Sequence, residues 1–224
     1  MNPEELQVLY EDNHLLVVNK PAGVLVQKDS TGDTSLQEVG KQYLKEKYNK
    51  PGNVFCALMS RIDRPASGVI VMARTSKAAS RLTEQFKEST PRKIYYALAE
   101  GKVAERGKFY DKIYRRGATS YISRDKSKGK KARLTFRRLK YSQNTSLVRV
   151  NMKTGRHHQI RVQFSYRGHP LIGDFRYDSD IKFPHRSIGL HARELTIIHP
   201  TKDEYLTFDQ PVPEYWPEEF RNID

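Results

Sequence analysis

Three short segments bring together side chains that can do chemistry. In Arg61-Ile62-Asp63-Arg64-Pro65-Ala66-Ser67-Gly68 a carboxylate stands between two guanidinium groups, with proline and glycine shaping a loop ahead of an apolar run. Neighbouring guanidinium groups favour the ionised carboxylate. Such a group can act as nucleophile or base, or simply close a structural salt bridge, and on these residues alone the salt bridge is the simpler account. Lys93-Ile94-Tyr95-Tyr96-Ala97 presents tyrosine, a ring that stacks and a hydroxyl that exchanges a proton. Thr154-Gly155-Arg156-His157-His158-Gln159-Ile160-Arg161-Val162 sets polar and charged side chains near a helix start, where free backbone N–H groups attract anions.

Other chemistries find no support. The sequence contains no GxGxxG, no GxxxxGK[ST] and no HExxH. Its one cysteine, Cys56, provides neither a disulfide nor a multi-cysteine zinc site. Of seven histidines only His157 and His158 are close in sequence, and neighbours on a helix point apart. Neither a metal nor a cofactor is expected.

The chain has 224 residues, with 40 Lys+Arg against 26 Asp+Glu, a formal charge of +14. Residues 112–140 hold twelve of those cations and a single acid, Asp125, a local charge of +11 that leaves +3 for the rest. Basicity this regional points to a polyanion, and the flexible stretch 124–133 puts Lys126, Lys128, Lys130 and Lys131 forward as phosphate contacts. The bland alternative is a solvated charged loop. A lone cysteine, an acidic start without a secretory pattern and no apolar run of about 20 residues lead to the expectation of a soluble cytoplasmic protein, away from membranes.

The elements that must position these segments are mostly strands. Leu6–Leu9 and Leu15–Val18 flank a turn, Glu11-Asp12-Asn13, as a hairpin. Val69–Met72 is a buried strand, and Lys93–Ala99 alternates, with Ile94, Tyr96 and Leu98 on one side and Lys93, Tyr95 and Ala97 on the other. Arg133–Tyr141 and Leu147–Met152 pair around Ser142–Thr145, and Leu190–Ile198 and Glu204–Asp209 close the chain. Helices are expected over Thr34–Tyr48, with a capping box from Thr34 to Gln37, over Ser76–Glu88 and over His158–Tyr166. Residues 124–133 are expected to be an exposed, mobile loop. Strands outnumber helices without alternating with them. This predicts one α+β domain over 1–224, a central, mostly antiparallel mixed sheet flanked by helices and loops.

Taken in order, the three segments resemble the RluA family of pseudouridine synthases. That family's pattern runs R-L-D-x-x-T-S-G, then K-x-Y-x-A, then T-G-R-x-H-Q-I-R-V-H, against R-I-D-R-P-A-S-G, K-I-Y-Y-A and T-G-R-H-H-Q-I-R-V-Q here. The opening LYEDNHLLVVNKPAGVLV, GHPLIGDFRY over 168–177 and LHARELTIIHP over 190–200 extend the resemblance to nearly the whole chain. Ala66 replaces a usual threonine, Ser60 precedes Arg61 where histidine is frequent, and Gln163 takes another histidine's place. These departures bear on substrate choice. The chain starts directly at the opening segment, so the small RNA-binding module that many relatives carry ahead of it is not expected.

The resemblance implies that a specific uridine in structured RNA, ribosomal or transfer, becomes pseudouridine. The glycosidic bond breaks, the uracil turns and it rejoins through carbon, a change that requires no cofactor. Asp63 matches the catalytic aspartate, Tyr95 the active-site tyrosine and Arg161 the arginine that pairs with the aspartate, all three lining a cleft across the sheet. Arg61, Arg64, Arg156, His158 and Gln159 are expected to contact substrate, a flipped-out uridine and its phosphates. A monomer is expected. Two rivals are an RNA-binding protein without catalysis, which retention of all three residues opposes, and a glycoside-cleaving enzyme, which ordinarily needs a second carboxylate.

Overall fold

The computed structural model describes residues 1–125 and 127–223. The elements are, in chain order, β1 (Val8–Glu11), β2 (Leu15–Lys20), α1 (Leu36–Lys47), β3 (Ala57–Leu58), β4 (Ser67–Ala73) and α2 (Ser76–Glu88). Then come β5 (Arg92–Glu100), β6 (Arg106–Arg116), β7 (Thr119–Ile122), β8 (Lys130–Ser142) and β9 (Thr145–Met152). The chain ends with α3 (Gln159–Ser165), β10 (Leu190–Ile198) and β11 (Tyr205–Asp209). The architecture is α+β with mostly antiparallel strands, as the sequence pattern predicts.

The chain forms two compact units, Met1–Pro91 with Glu194–Gln210, and Arg92–Arg193 with Pro211–Asp224. In the first, β2 pairs antiparallel with β1 and with β4, Val17 lying opposite Val71. All seven residues of β4 are buried, because both of its faces are covered. Leu15, Val17, Val69 and Val71 pack with Ala78 and Leu82 of α2 and with Leu195, Ile197 and Phe208. The α2 bounds agree with the sequence reading: Thr75 caps its first turn and Ser89, in a left-handed conformation, ends it.

The capping box of α1 lies one residue later than expected. Ser35, not Thr34, accepts from the Glu38 N–H, and Glu38 accepts from the Ser35 N–H. Leu36, Val39 and Leu44 of the helix are buried.

In the second unit, antiparallel ladders join β5 to β9, β9 to β8, β8 to β6 and β6 to β7. One face carries Phe109 and Phe136, packed edge-on against Phe164 of α3. The other carries Ile94, Tyr96 and Leu98, packed with Trp216 and Phe220 of the C-terminal segment. Two expectations are corrected here. The sequence reading has no strand over 102–123, where the structure has β6 and β7, and the expected loop over 124–133 is already strand from Lys130. For β6 and the start of β8 the reason is shared: the buried Phe109, Ile113 and Ala132 are separated by charged residues, and the charge obscures the strand.

Candidate active site

Asp63 belongs to the first unit. It opens a tight turn in which its carbonyl accepts from the Ala66 N–H at 3.0 Å, and β4 follows at Ser67. The turn is tied to the segment after β2. Gly23 N–H donates to the Arg64 carbonyl at 2.8 Å, and Arg64 Nε returns a bond to the Gly23 carbonyl at 2.9 Å. Beneath lies Lys20, with no exposed surface. Its ammonium donates to the carbonyls of Pro21, Val24 and Arg64 at 2.9, 2.8 and 3.1 Å. Burial pulls the Lys20 ammonium down to about 7; the negative charge of Asp63 opposes that shift and Arg64 adds to it. Lys20 is the residue that sequence reasoning passed over. Its signal is a lysine closing an apolar strand directly before Pro21.

Of the flanking arginines, Arg61 is exposed. Arg64 reaches Asp33 at 2.6 Å, an exposed pair that solvent weakens.

Tyr95 belongs to the second unit, on β5 opposite Val150, half-buried, with Lys93 two residues along the same face. Burial lowers the Lys93 ammonium. Tyr96 points the other way, into the cluster around Trp216.

The loop before α3 is braced by Gln159. Its Oε1 accepts from Thr154 Oγ1 at 2.7 Å and from the Arg156 N–H at 3.1 Å, and its Nε2 donates to the Arg133 carbonyl at 3.1 Å. Gln159 is buried, so its amide organises the loop from inside. Arg156 is exposed and its Nε donates to the Lys131 carbonyl.

His158, at the N-cap of α3, takes a left-handed conformation with φ 53°. That turn brings its ring onto His157, with centroids 3.7 Å apart, although neighbours on a helix would diverge. His158 Nδ1 meets Tyr177 Oη at 2.9 Å, and His157 Nδ1 meets Ser120 Oγ at 2.9 Å.

Arg161 is buried and held by Asp174 in a two-pronged pair, Nε to Oδ2 at 2.6 Å and Nη2 to Oδ1 at 2.8 Å. Its guanidinium also lies over the Tyr177 ring, 5.1 Å from the centroid. Asp174 and Tyr177 stand within GHPLIGDFRY, a stretch that carried the resemblance without being given a role. Gln163, one of the departures from the family pattern, donates to Asp111 at 2.6 Å.

Of the four lysines put forward for phosphate, Lys128, Lys130 and Lys131 are exposed and Lys126 lies outside the described residues. Lys128 has a weak contact with Asp125 at 3.9 Å.

Comparison with known proteins identifies the family. A family model described as RNA pseudouridylate synthase matches residues 14–166, which include Asp63, Tyr95 and Arg161. The chain is 33% identical to an uncharacterised RNA pseudouridine synthase, YhcT, of Bacillus subtilis over 93% of its length and 69% of that protein's. It is 33% identical to the dual-specificity RNA pseudouridine synthase RluA of Haemophilus influenzae, covering 91% of this chain and 92% of the relative. For the ribosomal large subunit pseudouridine synthase C of Vibrio parahaemolyticus the identity is 32%, over 93% of this chain and 66% of the relative. Among solved structures, human RNA pseudouridylate synthase domain containing 1 superposes with a TM-score of 0.76 at 26% identity, over 95% of this chain and 86% of that one. The chain therefore belongs to the RNA pseudouridine synthase family.

Proposed function

We propose that this protein isomerises a specific uridine in structured RNA, ribosomal or transfer, to pseudouridine, with Asp63 as the catalytic carboxylate. The observation that carries this reading is the placing of Asp63 in a braced turn over a buried ammonium, in a chain of the pseudouridine synthase family. A carboxylate that must meet a sugar carbon needs a fixed backbone beneath it, and the three carbonyls gathered by Lys20 supply one.

In this reading the flipped uridine lies with its C1′ next to Asp63. The bond from C1′ to N1 breaks, with the carboxylate attacking C1′, steadying its positive charge or assisting proton removal from the sugar. The uracil turns, the bond from C1′ to C5 forms, the C5 proton leaves and N1 takes up a proton, so that no atom is gained or lost. Tyr95 stacks on the base and its hydroxyl takes part in proton transfer. Arg161, fixed by Asp174, matches the arginine that the resemblance gives as the partner of the catalytic aspartate. Arg61, Arg64, Arg156 and His158 contact RNA around the site, with Gln159 shaping the loop that carries two of them. The whole chain acts as one catalytic domain, a cytoplasmic monomer without metal or cofactor. No helix among the described residues is long and apolar enough to cross a membrane.

Mapping pseudouridine chemically in total RNA from cells with and without the gene tests this. At least one uridine of ribosomal or transfer RNA should lose its modification when the gene is removed; an unchanged map would contradict the proposal. Binding adds a second check. Replacing Lys126, Lys128, Lys130 and Lys131 with glutamine should flatten the fall of RNA affinity with salt. On single strands the logarithmic slope should drop by roughly 0.7 for each phosphate that is no longer neutralised.

A further inference from the structure

The basic region is a sheet surface, and the register of its strands says which way it looks. Tyr95 lies opposite Val150, Val150 opposite Phe136, and Phe136 opposite Gly107. Side chains directly across a ladder share a face. Tyr95 therefore shares its face with Phe136 and, two residues beyond Gly107, with Phe109, the face that α3 covers. Tyr110 and Tyr114 point the other way, and Tyr121, opposite Tyr114, joins them.

That other face is covered only in part. Near β5 it packs under Trp216 and Phe220. Over β6, β7 and the start of β8 it is open: Tyr110 is 62% exposed, Tyr114 42% and Tyr121 43%. The tyrosines alternate with cations along β6, in the order Lys108, Tyr110, Lys112, Tyr114, Arg116. Lys131 and Arg133 of β8 lie opposite Lys112 and Tyr110. The one acid of β6, Asp111, is on the opposite face, held by Gln163 and Arg167.

We propose that this open face of β6, β7 and β8 is a stacking platform for a single-stranded segment of RNA, separate from the segment that enters on the Tyr95 side. The inference rests on the reading of the protein as an RNA-acting enzyme. Cations alone would grip any phosphate backbone, duplex or not. Exposed rings between them add a gain that only unpaired bases return, because a paired base offers its faces to its neighbours in the stack. Tyr114 and Tyr121 stack on each other, centroids 5.6 Å apart, and such a pair also steadies a hairpin. Tyr110 does not fit that account: it stands opposite Arg133, and it is the most exposed of the three.

The test is binding of the decanucleotide rA10, which has no uridine to engage as target, followed by fluorescence anisotropy. Wild-type protein should bind it. The triple variant Tyr110→Thr, Tyr114→Thr, Tyr121→Thr should bind at least about tenfold more weakly, the loss expected for a single stacked base. Its salt dependence should stay unchanged because every cation remains. The corresponding triple Tyr→Phe variant, which keeps the rings, should bind like wild type. Should the threonine triple melt early, Tyr110→Thr alone carries the test, since it breaks no ring pair. Failure of wild type to bind rA10, binding by folded threonine variants as tight as wild type, or a preference for phosphatidylserine vesicles over rA10 would each overturn the platform. None of these results touches the isomerase reading, which fails instead if the wild-type protein forms no pseudouridine.

Discussion

The turn that carries Asp63 and the loop that leads to Arg161 are braced in opposite ways. Beneath the turn lies an ammonium, Lys20, with three backbone carbonyls around it. Inside the loop lies a neutral amide, Gln159, bonded to Thr154, Arg156 and Arg133, with the buried pair of Arg161 and Asp174 behind it. Both are interior polar braces, and both fix backbone that would otherwise have several conformations. The difference is that the first brace titrates near neutral pH and the amide does not. Of these two braces, only the one beneath Asp63 should therefore respond to pH.

The largest expected effect breaks the second region. Asp174→Ala takes the two-pronged carboxylate away from the buried Arg161 guanidinium, and should destabilise the protein by about 3–5 kcal/mol in urea unfolding. A loss below about 1 kcal/mol would mean that Arg161 relaxes to other partners. Gln159→Leu comes next. It removes the acceptor of two donors and the donor to a third group in a buried setting, at a cost of about 1–3 kcal/mol. That cost should be the same from pH 6 to pH 9, since no proton is exchanged.

Lys20→Met sharpens the contrast. The folded pKa of Lys20, about 7, lies below its unfolded value of roughly 10.4. Between those values the unfolded chain binds the extra proton, so this group makes stability rise with pH, by at most about 1.4 kcal/mol per pH unit. Below pH 7 its contribution is flat. The stability of wild type minus that of Lys20→Met should therefore climb from pH 7 toward pH 10, and the same difference taken with Gln159→Leu should not. A wild-type minus Lys20→Met difference that stays constant with pH would place the Lys20 titration outside that window and remove the contrast.

What the sequence disclosed follows from what pattern can encode. The bounds of α2 were legible because Thr75 caps a helix whose apolar face repeats, and β4 because seven consecutive residues are small or apolar. Strand β6 was hidden because charged residues are interspersed along it, and the start of β8 because a basic composition was taken for a mobile loop. The three segments of the site were legible as motifs. Their braces were not: Lys20 works through main-chain carbonyls that no side-chain pattern records, and Asp174 meets Arg161 across thirteen residues with no periodic relation. The stacking of His157 on His158 depended on one left-handed residue, which a helical rule could not anticipate.

The central claim is that the carboxylate of Asp63 does the chemistry, and one substitution addresses it. Asp63→Asn keeps the size and most of the hydrogen bonding of the side chain and removes its charge. Tritium release from unmodified ribosomal and transfer RNA transcripts labelled at C5 of uridine would report each completed isomerisation. With an unchanged thermal melt confirming the fold, turnover should disappear while RNA affinity stays within about twofold of wild type, because phosphate contacts elsewhere supply most of it. A well-folded Asp63→Asn protein that releases tritium at the wild-type rate would contradict the account.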